Sequence, residues 1–145
     1  MIATSLRWFP AVPLVKYPGI SASEGFVASD FLRKNPLNLI SISYSIPLLS
    51  PIPVGLNCVK NCTRMWDFLS ALKCDAYALC SISNFLIEFK EKALPSSIYQ
   101  LLTYAKSFTV NFPEEPTPNL VLVCQFATHT ALDIATDSNI SIITV

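Results

Sequence analysis

Three glycines in 145 residues is less than a third of what average usage of about 7% supplies. Positions that accept a positive φ without strain are therefore scarce, and so are the tight hairpin turns that glycine serves best. Gly19, Gly25 and Gly55 build neither a phosphate-cradling loop nor a dinucleotide fingerprint. Charge is scarce too: charged residues make up 14%, against roughly 25% in typical domains, and the formal net charge is zero. No cluster of basic residues interleaved with aromatics occurs, which argues against nucleic acid as a partner.

Long uninterrupted apolar runs are missing as well. The nearest approach to a membrane span is residues 35–59, which carry no charge at all but hold Pro36, Pro47, Pro51 and Pro53. The apolar run after Arg7 is broken by Pro10 and Pro13 and stopped by Lys16, so no convincing signal peptide emerges. Localisation stays unassigned on these grounds. Five cysteines, an odd number, argue against a complete secreted disulfide framework and favour free thiols in a reducing compartment.

What the chain has in abundance is apolar residues, at 52%, and prolines, of which there are eleven. One stretch, residues 63–93, reads as an amphipathic helix. Met65, Leu69, Leu72, Ala76, Leu79, Ile82, Leu86 and Phe89 recur at steps of three and four. Thr63 serves as its N-cap, and Glu88 and Lys92 form an i,i+4 pair. Residues 81–84, Ser-Ile-Ser-Asn, are its weak point, and Leu94-Pro95 ends it. A second helix from Ser96 to Phe108 completes a helical hairpin.

Elsewhere the signals are shorter. Residues 23–33 suit a short helix capped by Ser23, and Leu37 to Ile46 alternates like a strand. Residues 120–127 form the best strand, and 140–145 a second β-type segment. The gap between them allows either a cramped parallel crossover or an antiparallel return. The resulting fold class is a small, irregular α+β arrangement: a helical hairpin over 63–108 plus two or three short strands. It divides into a proline-interrupted, poorly specified segment 1–62, the hairpin 63–108, an acidic proline-rich spacer 109–119 and the β-type segments 120–145, within one domain at most.

Three constellations carry chemistry on paper. Cys58 and Cys62, with Cys74, Cys80 or the lone His129, are candidate zinc ligands, although the spacing matches no tight knuckle. Cys124, His129 and Asp133 are a candidate nucleophile, base and orienter. Glu114-Glu115 is a carboxylate pair set between prolines, read as solvated charge. Each is weaker than its structural alternative, so no residue is assigned as catalytic, cofactor-binding or metal-binding, and no cofactor is implied. The sequons at Asn61 and Asn139 are no more than chance supplies. The functional expectation is a chain without readable activity, a spurious or very young reading frame. A membrane-associated or partner-binding protein using exposed apolar surface is the alternative, and a thiol enzyme comes third.

Overall fold

The computed structural model describes residues 6–48 and 73–145. Its elements run in chain order: β1 (Trp8–Pro10), α1 (Ala22–Lys34), β2 (Ser41–Pro47), β3 (Lys73–Leu79), β4 (Asn84–Ala93), α2 (Pro95–Asn111), β5 (Asn119–Ala127), α3 (His129–Asp137) and β6 (Ile140–Thr144). The strands form a six-stranded mixed sheet whose spatial order is its chain order. β1 to β4 are antiparallel; β4, β5 and β6 are parallel, joined through α2 and α3.

This corrects the helical hairpin expected over 63–108. Residues 73–93 are two strands, and residues 63–72, with Thr63, lie outside the described residues. The physical reason is burial on both faces. One face of the sheet carries Ile42, Ala76, Ala78, Ile87, Phe89, Val121 and Val123 against Val27, Ala28, Phe31 and Leu32 of α1. The other carries Tyr77, Leu86, Leu122 and Ile140 against Ile98, Leu101 and Phe108 of α2 and Ala131 and Ala135 of α3. A strand covered on both sides has no polar alternation, and its apolar run fits steps of three and four as readily as steps of two. The Ser-Ile-Ser-Asn weak point is the hairpin: Leu79 pairs with Asn84, and the Cys80 N–H donates to the Ser83 carbonyl at 3.0 Å.

Scarce glycine is answered by asparagine. Asn35, Asn38 and Asn139 sit at positive φ of 41°, 53° and 55°, a region Asn tolerates better than most residues. Asn35 also closes the end of α1, with its amide group bonding both the N–H and the carbonyl of Leu39. The one described positive-φ glycine, Gly19, is needed where it is. A Cβ there would lie 2.4 Å from the Ser45 hydroxyl oxygen. α1, β2, α2, β5 and β6 match the sequence in kind and shift at the ends, whereas β1 lies in the stretch read as poorly specified and six strands replace the two or three expected. α1 is capped by Ser21 rather than Ser23, β2 starts at Ser41 rather than Leu37, and α2 extends to Asn111. The crossover between β5 and β6 is parallel, with α3 in the gap.

Candidate functional site

The backbone ladder between β3 and β4 runs from Leu79–Asn84 to Ala76–Ile87. One step further stand Asp75 and Glu88, and there side chains take over from the ladder. The Asp75 N–H donates to Glu88 Oε1 at 2.9 Å, and the Phe89 N–H donates to Asp75 Oδ2 at 2.9 Å. Two residues after Glu88, hence on the same side of β4, comes Lys90. Its ammonium lies 3.9 Å from the carboxylate of Glu24 in the first turn of α1. α1 and the β3–β4 hairpin, far apart in the chain, thus bring three acids and one lysine to one end of the β3–β4 pair.

The electrostatics are unusual. Glu88 is only 2% exposed. Burial pushes its carboxyl well above the ordinary carboxylate range, and the neighbouring charge of Asp75 pushes it further. Asp75 is raised as well, first by burial. The Phe89 N–H and Lys90 pull it back, while Glu24 adds to the rise. The Cys74 thiol is buried beside them, raised by burial and then by Glu88 and Asp75, and donates toward the Ile87 carbonyl at 3.5 Å. From α2, Tyr104 accepts a hydrogen bond from Gln100 at 2.7 Å. It feels the same acids: its hydroxyl is raised by burial and, to a lesser degree, by Glu88, Cys74 and Asp75.

A buried glutamate beside a half-buried aspartate, with a lysine two residues along, suits a divalent cation. Mg²⁺ is commonly held by one or two carboxylates and completes its octahedron with water and substrate phosphate. Among the described residues no three His, Cys, Asp or Glu side chains stand close enough to enclose an ion by themselves. The fit is therefore to a site in which two carboxylates supply only part of the cation's shell.

Of the constellations considered from sequence, the Cys124, His129 and Asp133 set does not assemble, and the zinc set lies partly outside the described residues. Cys58 and Cys62 lie outside the described residues, and Cys74, Cys80 and Cys124 are unlinked. Cys124 is buried in β5, its thiol raised by burial, whereas His129 and Asp133 are exposed on α3. No hydrogen bond joins the three. Glu115 is not merely solvated: it accepts from the Tyr77 hydroxyl at 2.9 Å, which also accepts from Asn84. Asn139 is exposed in the turn before β6, and Asn61 lies outside the described residues.

Glu24, Asp75, Glu88 and Lys90 are the residues that sequence reasoning missed. Placed on a helix, Asp75 and Glu88 fall on its polar side and need no explanation. One signal was available. Glu88 sits in Phe-Leu-Ile-Glu-Phe, an acid amid four large apolar residues, and Lys90 follows it at strand spacing.

The sequence matches no protein-family model and no curated protein. In three dimensions the chain is similar to a repair endonuclease from Pyrococcus abyssi, with a TM-score of 0.52 and 14% identity over 90% of this chain. The match covers 49% of that protein, so the present chain spans about half of it. At this identity the likeness speaks for the fold. It also overturns the exclusion of nucleic acid drawn from the sequence, because this fold serves in an endonuclease. The exclusion rested on the absence of a contiguous basic cluster, and a fold can gather cations from separate segments instead. Among the described residues no helix is long and apolar enough to cross a membrane.

Proposed function

We propose that the chain is a divalent-cation-dependent phosphodiesterase acting on nucleic acid, with its site at Asp75, Glu88 and Lys90. The observation that carries this is the position of the two acids. They stand where the β3–β4 ladder ends, each held by a backbone N–H, with Lys90 on the same side of the strand. The likeness to a repair endonuclease supports the substrate class.

Asp75 and Glu88 would hold the cation, which would supply positive charge to a bound phosphate and acidify a water. The chain's own contribution is orientation. The two N–H bonds fix both carboxylates before substrate arrives, so no reorganisation is needed during the reaction. Lys90 brings a positive charge to the phosphoryl oxygens as water adds to phosphorus and the P–O ester bond breaks. Glu24 holds that ammonium from the α1 side. We favour this over a frame without selected activity for a physical reason. Burying adjacent acids costs stability, and such costs concentrate at functional sites.

The test is incubation of the purified chain with an end-labelled oligonucleotide and with plasmid, in Mg²⁺, Mn²⁺ or EDTA. Cleavage in the presence of either cation, absent in EDTA, is the expected result. Asp75→Asn, Glu88→Gln and Lys90→Ala should each lower the rate by about 100-fold or more. No cleavage with either cation, or undiminished cleavage by Asp75→Asn, contradicts the proposal.

A further inference from the structure

Beside α1 lies an open cleft of about 600 Å³, walled by the segment 14–21, which packs on β2 through Tyr17 and Tyr44, and by the helix. Tyr17 clasps the two walls together. Its hydroxyl accepts from the Leu14 N–H at 3.0 Å and lies 2.8 Å from the Ser29 hydroxyl oxygen. Gly25 faces the Tyr17 ring, and a Cβ there would lie in ordinary contact with it at 3.4 Å. The lining is largely apolar, and Phe26 projects into it with 70% of its surface exposed. The charged side chains that line it, Lys16 and Arg33, are both cationic; Arg33 is shared with Asp30, to whose carboxylate it donates at 2.7 Å in an exposed pair that a phosphate can replace.

We propose that this cleft receives an unpaired base of a single-stranded nucleic acid, on a strand that continues to the Asp75–Glu88 site. An apolar slot with a solvent-facing aromatic ring suits the face of a base, and flanking cations suit the phosphates on either side. An apolar peptide would use the slot but not the two cations. A duplex keeps its bases stacked and would use only the cations. The cleft and the acids also share one short piece of chain. Ser21, Ala22 and Gly25 line the cleft, while Glu24, between them in sequence, turns to Lys90. A strand crossing the start of α1 therefore passes from one to the other. That continuity rests on the phosphodiesterase reading; the binding of a base in the cleft does not.

The test is fluorescence anisotropy with end-labelled oligothymidylate, in EDTA so that no cleavage occurs. Oligouridylate and a duplex serve as parallel probes. Phe26→Ala is expected to weaken single-strand binding about tenfold, in the range measured for loss of a base–aromatic stack, and to leave duplex binding unchanged. Phe26→Trp should retain or tighten it. Lys16→Ala should reduce the slope of log affinity against log salt by about 0.7. Loss on Phe26→Ala with either single strand supports the cleft. Wild-type binding by Phe26→Ala, equal loss on the duplex, or no binding of any oligonucleotide overturns it; the last result leaves the slot to an apolar peptide. The two readings separate cleanly. Phe26-dependent binding without cleavage by the wild type sinks the phosphodiesterase and keeps the cleft, and cleavage with Phe26-independent binding does the reverse.

Discussion

Asp75 and Glu88 stand where two strands part, and their carboxylates accept the N–H bonds that backbone carbonyls would otherwise take. Burial raises both carboxyls above the ordinary values of 3.8 and 4.5. The sign follows by linkage. A carboxyl raised in the folded state contributes stability that is full below its unfolded pKa and is lost as pH rises through its folded one. The metal-free chain should therefore be more stable near pH 5 than near pH 8, as read by urea denaturation across that range. Glu88→Gln should remove much of that slope and raise stability at the alkaline end by on the order of 2 kcal/mol. A wild type whose stability rises with pH would refute this. A second residue tests the packing. Tyr44 is 7% exposed, and its hydroxyl is the one buried side-chain polar atom without a hydrogen-bond partner among the described residues. Tyr44→Phe should stabilise the chain by about 1 kcal/mol, since a buried unsatisfied group costs roughly 1–3 kcal/mol. A destabilised variant in thermal melts would show that the hydroxyl has a partner.

At the scale of elements, the hairpin between β3 and β4 is the sharpest departure from the sequence reading. On the expected helix Ile82 lies on the packed face; in the structure it is 91% exposed at the turn. Ile82→Asp should thus shift stability by less than about 0.5 kcal/mol. Phe108→Ala should cost about 3–5 kcal/mol, because Phe108 is fully buried in α2 and stacks on Phe112. Urea midpoints compare the two directly, and a large loss at Ile82 would restore the helix. Single-faced elements were readable. α1 leaves Asp30, Arg33 and Lys34 half-exposed or exposed on one side and buries Val27, Ala28, Phe31 and Leu32 on the other, so its period shows. β5 showed as a strand because Leu120 to Val123 is a short continuous apolar run set off by the proline-rich spacer before it. β3 and β4 lacked both cues: Ala76, Tyr77 and Ala78 are all buried, as are Leu86 to Phe89, and Ala and Leu carry no strand preference. The site was lost with them, since Asp75, Glu88 and Lys90 come together only if 73–93 folds back on itself.

Taken as a whole molecule, the described chain is one sheet buried on both faces, with α1 on one side and α2 and α3 on the other. Low charge and scarce glycine fit that architecture. Strands covered twice leave few positions for charged side chains, and asparagine supplies positive φ at Asn35, Asn38 and Asn139. Against this apolar background the acids of the β3–β4 end stand out, and the account turns on what they bind. The most direct measurement is a calorimetric titration of the metal-free chain with Mn²⁺ in two buffers of different ionisation enthalpy. If Asp75 and Glu88 are a cation site with raised carboxyls, one ion binds and expels protons near neutral pH, affinity rises with pH, and Asp75→Asn abolishes the signal. Binding without proton release, binding untouched by Asp75→Asn, or no binding to a folded chain would contradict it.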